Sequence, residues 1–210
     1  MFVVAVLIGY ILGSLPVTLT IGKVFKGIDV RDSGSGKTGA TNVLRTLGWK
    51  FAVPITIWDI SKGILAVLIS RALTDSNAAD ALTAGAVLLG HVWPITSGFR
   101  GGRGVMTGLG TIFILSPITS IPGMIFTLSI IAVSRYVSLG SILGSAAQII
   151  GVTIAWQMDK LPLEYALYVI GGSALIIWVH RDNIQRLLNG TERKIGEKAT
   201  PVKTPAGKTA

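Results

Sequence analysis

Residues Val105–Ser134 read VMTGLGTIFILSPITSIPGMIFTLSIIAVS, 30 residues without a charge, interrupted by Pro117 and Pro122. A helical crossing of a bilayer takes about 20 apolar residues, so this stretch is long for one span and short for two. Working outward, uncharged or nearly uncharged segments also occupy Phe2–Gly22 and roughly 51–70, 81–98, 138–158 and 163–180. Charge sidedness decides between the two readings, because basic residues collect on the cytoplasmic side. If 105–134 is two spans, there are seven in all, with the N-terminus outside. Of the 19 basic residues, 16 then lie inside, Arg71 and Lys160 lie outside, and Lys62 sits within a span. If it is one span, nine lie on each side. The sequence therefore predicts an all-α integral membrane protein of seven transmembrane helices with a cytoplasmic C-terminus.

Composition agrees. The chain has 210 residues, 50% of them apolar and 14% charged, against a charged share of about 25% in soluble domains. Mean hydropathy is +0.65. Yet the net charge is +9, which suits nucleic acid, anionic lipid or phosphorylated ligands. Greasiness argues against nucleic acid. The absence of cysteine removes disulfides, thiolate nucleophiles and cysteine–zinc sites, and two histidines leave few metal arrangements. No basic segment precedes the first span and no small-residue cleavage pattern follows it, so it reads as an anchor rather than a signal peptide. Residues 1–190 form one membrane domain, and the polar, aperiodic 191–210 reads as a disordered basic tail near anionic lipid. Glycine is abundant, 26 copies, and Gly85, Gly108, Gly110, Gly144, Gly151, Gly171 and Gly172 are expected to permit close helix packing.

Three segments on the inferred cytoplasmic face carry possible chemistry. In the first, Gly27–Arg45, the Gly-Lys-Thr at 36–38 invites a P-loop reading. That motif needs glycine at position 31, where Arg31 stands, and no Walker B candidate exists. What survives is an anion-friendly turn. Gly34, Gly36 and Gly39 let backbone N–H groups face an anion; Ser35, Thr41 and Asn42 add neutral donors, and Lys37 and Arg45 add charge. A flexible loop bearing topological charge is the rival. The second, Gly90–Gly104, packs Gly98, Gly101, Gly102, Gly104, Arg100 and Arg103 into seven residues before a span. A helix opening there offers free N–H groups and a dipole to phosphate, and arginine adds a planar fork. An ordinary helix stop with interfacial anchors is the alternative. The third begins at His180, with Asn183 and Arg186 three residues apart on one helical face; alone it reads as an interfacial helix. Asp59 and Lys62, three apart within a span, can pair with each other or line a cavity. Ser138 and Ser141 lie at the cytoplasmic end of another span.

Neither His91 nor His180 is followed four residues on by aspartate, and no nucleophile elbow with triad partners appears. Scattered carboxylates do not suit a two-metal phosphatase. Anion-binding groups without an activated nucleophile fit a transfer between phosphorylated substrates by positioning and charge stabilisation. They also fit an anion transporter.

Together the segments resemble the bacterial acyl-phosphate:glycerol-3-phosphate acyltransferases, the PlsY family. The likeness runs through Gly13-Ser-Leu-Pro16, Gly22-Lys23, Ile28-Asp-Val-Arg31, Gly34-Ser-Gly-x-x-Gly-Ala-Thr-Asn-x-x-Arg45 and Asp59-x-x-Lys62-Gly. It continues through Gly90-His-x-x-Pro94, Phe99-x-Gly-Gly-x-Gly104, Arg135-Tyr-Val-Ser-Leu139 and Asn183-Ile-x-Arg186. The resemblance implies a monomeric, seven-span enzyme of the bacterial inner membrane, with its active site on the cytoplasmic face. It would move an acyl group from acyl phosphate to glycerol 3-phosphate, with no metal or other cofactor. It further implies that Ser35, Arg45 and Arg103 hold phosphate and that His180 and Asn183 complete the site. Asn183 would be an oxyanion donor with Ser141 beside it, and Asp59, Lys62, His91, Ser138, Arg186 and Glu192 would support it. The substrate's own phosphate would take the hydroxyl proton. Two departures stand out: Lys37 where the family has asparagine, and Arg100 and Arg103 where it has lysine. Arginine stays charged and cannot act as a base, so a clamp survives the change and a lysine-base mechanism does not.

Overall fold

The computed structural model describes residues 1–197. Ten α-helices run through them: α1 (Phe2–Ser14), α2 (Val17–Lys26), α3 (Ala40–Thr46), α4 (Trp49–Leu73), α5 (Asn77–Val92), α6 (Val105–Leu115), α7 (Pro117–Ser134), α8 (Val137–Gln157), α9 (Leu163–Val179) and α10 (Arg181–Leu188).

Prolines draw the decisive boundaries. Pro16 disfavours helix at the residue before it, so Leu15 is extended and the first apolar segment breaks into α1 and α2 within one stretch of 25 residues. Pro117 does the same to Ser116 and takes the first position of α7, where its missing N–H costs nothing. Thus 105–134 is two helices. α6 runs away from the loops at its start and reaches Arg71, whose Nη2 donates to the Ile114 carbonyl at 3.3 Å. α7 returns to Arg135.

Five helices among the described residues are long and apolar enough to cross a membrane, and α9 with α10, bent by 54°, makes a sixth if taken as one. α6 has 11 residues, a rise of about 16 Å against a hydrocarbon thickness of about 30 Å. Of the seven spans expected from charge counting, five or six are thus long enough by this measure, with α6, and α9 unless joined to α10, falling short of it.

α5 lies at the centre, packed on α1, α4, α6 and α9, whereas α7 is peripheral and turns Ile121, Ile125, Leu128 and Val133 outward. An apolar outer face of this kind suits lipid rather than water. The closest helix approaches occur at glycines. A Cβ on Gly110 would meet the Ile60 carbonyl, one on Gly63 the Thr107 carbonyl, and ones on Gly13 and Gly90 the carbonyls of Val87 and Tyr10. Of the glycines expected to pack, Gly110 and Gly144 do so tightly. Gly108 and Gly172 do so against side chains, Gly85 and Gly151 are only in ordinary contact, and Gly171 faces open space. At the end away from the loops, buried Asp80 accepts from Arg71 Nε at 3.1 Å and from the Tyr165 hydroxyl at 3.0 Å, joining α4, α5 and α9.

The expected tail does not begin at residue 191. Residues 191–197 fold back along the bundle, with Ile195 N–H donating to the Arg135 carbonyl at 2.8 Å. The remainder of that tail, 198–210, lies outside the described residues.

Candidate active site

Three connections and the start of α8 meet at one end of the bundle. The loop between α2 and α3 is knotted by one side chain. Asn42 Oδ1 accepts the Ser35 N–H at 3.0 Å, and its Nδ2 donates to the carbonyls of Val30, Ser33 and Lys37 at 2.8, 3.1 and 2.9 Å. The expectation of Asn42 as a neutral donor to an anion is corrected here, because its amide is committed to the loop. Gly34 and Gly36, at φ +65° and +68°, supply the left-handed turns this path requires. Asp29 holds Arg31 in an ion pair at 2.6 Å, and Arg31 Nη1 reaches the Ser97 carbonyl at 3.0 Å.

That contact touches the second loop, between α5 and α6. Here Gly101 N–H donates to the Val92 carbonyl at 3.2 Å and Gly102 N–H to the His91 carbonyl at 3.1 Å. Gly104, at φ +80°, precedes the first turn of α6, where the sequence placed a helix opening. The Thr38 N–H to Gly101 carbonyl contact at 3.5 Å links the two loops.

The third connection turns from α9 into α10 and back. His180 Nδ1 lies 2.7 Å from the Ile176 carbonyl. A carbonyl only accepts, so Nδ1 carries the proton, and Nε2 of the neutral ring is an acceptor. Glu192 then enters the site. Its Oε1 accepts from Ser138 Oγ and Asn183 Nδ2, each at 2.7 Å, and its Oε2 accepts from Arg186 Nε at 2.7 Å. Arg45 Nη2 donates to the Arg193 carbonyl at 3.0 Å. Burial works to raise the Glu192 pKa, but the bonds from Ser138, Asn183 and Arg186 hold it below the ordinary carboxylate value.

Between these loops lies a small, partly open cavity. Ser35, Arg45, Arg103, Ser141, His180 and Asn183, the six residues given the central roles from sequence, all line it. Lys37, Gly39, Thr41, Asn42 and Gly104 do too, as do Asp59, His91, Ser138 and Glu192. Gly34, Gly36, Arg100, Gly101 and Gly102 shape the loops without lining it, and Arg186 acts through Glu192. The Asp59–Lys62 pair forms at 2.8 Å, with Lys62 set behind the wall.

The cavity is electropositive. Asp59 is paired with Lys62 and Glu192 with Arg186, whereas Lys37, Arg45 and Arg103 have no carboxylate in contact among the described residues. Burial, then repulsion from Arg186, lowers the Arg103 pKa to about 10. Burial and Arg103 pull Lys37 down, and burial lowers Arg45. Arg45 Nε and Arg103 Nε are buried donors, and Asn183 Oδ1 a buried acceptor, without a hydrogen-bond partner, so the wall offers donors to an anion and an acceptor to a hydroxyl. Sequence reasoning did not mark Val105, Met106 and Val137, which form the apolar side of the same cavity; aliphatic residues at helix starts carry no chemical signal.

A family model described as glycerol-3-phosphate acyltransferase matches residues 3–190. The chain belongs to that family. It is 39% identical over 202 residues to the glycerol-3-phosphate acyltransferase of Clostridioides difficile (strain 630), covering 94% of this chain and 97% of that one. It is 42% identical over 191 residues to the enzyme of Halalkalibacterium halodurans, covering 90% and 93%. Crystal structures of PlsY, an integral membrane glycerol 3-phosphate acyltransferase, superpose with similar completeness. Its glycerol 3-phosphate form gives a TM-score of 0.84 at 38% identity, covering 93% of this chain and 96% of that one. Its lysophosphatidic acid form gives 0.80 at 36% identity, covering 93% and 95%. The resemblance read from the motifs is thus shown across nearly the whole chain, and the transporter alternative falls away. This acyltransferase is an integral membrane enzyme.

Proposed function

We propose that this acyltransferase uses acyl phosphate as donor and sn-glycerol 3-phosphate as acceptor, and releases 1-acyl-glycerol 3-phosphate and phosphate. The observation that supports the reading is a junction of two environments. The electropositive cavity shares Val105, Met106, Val137 and Ser141 with an apolar groove between α4, α6, α7, α8 and α9. A ligand with a phosphate head and an aliphatic chain fits across that junction, its acyl carbon beside Ser141 and its chain in the groove, open to the bilayer.

In the reaction the acceptor hydroxyl oxygen attacks the acyl carbon, and the bond from that carbon to the phosphate oxygen breaks. The hydroxyl proton leaves with the phosphate. Arg45 and Arg103, with their unpartnered Nε–H groups, and Lys37 hold the two phosphates and stabilise the departing one. One Nδ2 hydrogen of Asn183 is engaged by Glu192, which leaves the other for the developing oxyanion. The Ser141 hydroxyl donates to the Val137 carbonyl at 2.9 Å, so it faces substrate as an acceptor. His180 Nε2 can accept the acceptor hydroxyl and aim it. The neutralising charge comes from side-chain cations, so the donor set calls for no metal ion.

The remaining placement belongs to the same proposal: a monomer in the bacterial inner membrane, crossing it seven times with α6 as a short fourth pass, its N-terminus outside and the site cytoplasmic. Purified protein mixed with palmitoyl phosphate and glycerol 3-phosphate should release phosphate and form the acylated glycerol phosphate. No release with both substrates present and the protein folded would overturn the donor assignment, and acyl-CoA and acyl carrier protein then become the donors to test.

A further inference from the structure

In the cavity wall, with Asp59 and His91 at its surface and Lys62 behind them, lies a buried cluster that the reaction above does not use. Lys62 Nζ sits 2.8 Å from Asp59 Oδ1, 2.7 Å from His91 Nδ1 and 3.4 Å from the Gly13 carbonyl. All three side chains are nearly sealed, with Asp59 3%, Lys62 2% and His91 7% exposed. Lys62 can only donate, so His91 Nδ1 is the acceptor and the ring is fixed in one orientation. Two charges this deep are costly, and the stable arrangement is one in which every partner is present.

The far edge of the His91 ring packs on the second loop. A Cβ on Gly102 would land on the ring, with Nε2 its nearest atom. The same residue's carbonyl accepts the Gly102 N–H, and the next one accepts Gly101. Gly102 precedes Arg103, and the Gly101 carbonyl meets Thr38 of the first loop. A chain of contacts therefore runs from Asp59 and Lys62 through the His91 ring to both anion-binding loops.

We propose that Asp59, Lys62 and His91 are positioning residues, which hold the Gly101–Arg103 turn in the shape that presents the Arg103 guanidinium to phosphate. The inference rests on the reading of the cavity as the phosphate site. Lys62 supplies its charge to the histidine rather than to the ligand. The lack of a side chain at Gly102 is required by the ring rather than by substrate.

A double-mutant cycle tests this, read as binding of inorganic phosphate to the full-length protein in detergent by calorimetry, with no turnover needed. His91→Ala leaves Lys62 its Asp59 partner and should fold. His91→Ala and Gly102→Ala should each weaken phosphate about tenfold, the size of one lost hydrogen bond to a charge. Together they should weaken it no further, because both break the same contact. A second variant, Asp59→Leu with Lys62→Met, removes both charges at once and should melt near wild type while binding as weakly as His91→Ala. In turnover, KM for glycerol 3-phosphate should rise and kcat should fall with it, because Arg103 also stabilises the departing phosphate, while the paired apolar variant keeps its melting temperature. Additive losses in the cycle, or wild-type binding by the paired apolar variant, would overturn the inference and leave the site reading intact. Absence of phosphate binding by the wild-type protein would overturn the site reading and the inference with it.

Discussion

Asn183 donates its side-chain amide to Glu192 at 2.7 Å, across a turn of nine residues, and so the chain after the last helix is fastened to a residue that lines the cavity. Ser138 and Arg186 complete the fastening. Glu192→Ala strands three donors at once. Hydrogen bonds to charged groups contribute about 1.5–3 kcal/mol each, so the melting temperature in detergent should fall by several degrees and activity should fall with it. Glu192→Gln keeps both Oε1 contacts and should lose less of each.

The pH dependence of that fastening has a definite sign. The Glu192 pKa in the folded protein lies below its ordinary value of 4.5. A depressed carboxylate pKa gives stability that is fully present above the unfolded value and is lost as pH falls through the folded one. Thermal stability should therefore be insensitive to Glu192 between pH 6 and 8 and decline below about 4.5. Glu192→Gln should lack that component of the acid decline, and a scan of melting temperature against pH reads the difference.

Arg103 gives the alkaline counterpart. Its pKa, lowered by burial to about 10, still leaves it charged, so phosphate affinity should hold from pH 7 to 9. Lysine begins about two units lower than arginine. Arg103→Lys in the same buried setting should therefore lose phosphate affinity with rising pH at a pH where the wild type still binds. Arg103→Ala should abolish turnover, and Lys50→Ala, exposed at the same end of the bundle, should stay near wild type. Unchanged pH profiles in Arg103→Lys would remove this residue from the clamp.

Helix packing offers a stability test that does not depend on the reaction. Gly110→Ala drives a methyl group into the Ile60 carbonyl, an overpacking that costs about 1–3 kcal/mol. Gly171→Ala meets nothing and should melt with wild type.

The chain contains no cysteine, so crossings can be counted on single introduced thiols without a cysteine-free background. Asp159→Cys, in the turn after α8, and Asn189→Cys, after α10, should label from opposite sides of sealed inverted membranes. Labelling of both from one side would overturn the seven-pass topology.

Much of this site was legible because its chemistry is written in residue types. The glycine turns, the cations among them and the Asp59–Lys62 spacing all show in one dimension, and all six residues given central roles meet in one cavity. What escaped depends on contacts between distant segments. Nothing near Asn42 says that its amide will be consumed by three carbonyls of its own loop. Gly13, Gly63 and Gly90 look no different from Gly171, since only the facing helix decides which glycine is indispensable. The extent of the ordered chain was misjudged for a similar reason. Thr191–Glu197 has no periodicity of its own and is held by Ser138, Asn183 and Arg135 from elsewhere. Hydropathy does not reveal that α6 stops after 11 residues, so its shortness was not legible in the sequence.

On the proposed reading, the shared wall at Val105, Met106, Val137 and Ser141 gives the two substrates different reservoirs. Glycerol 3-phosphate arrives from the aqueous phase, and its supply is measured in molarity. An acyl donor entering along the groove beside exposed Leu128 arrives within the plane of the bilayer, where its supply is a mole fraction of lipid. Diluting the membrane with inert phospholipid at constant total donor should then slow the enzyme, whereas diluting the vesicles in a larger volume of buffer at fixed glycerol 3-phosphate should leave turnover per molecule unchanged.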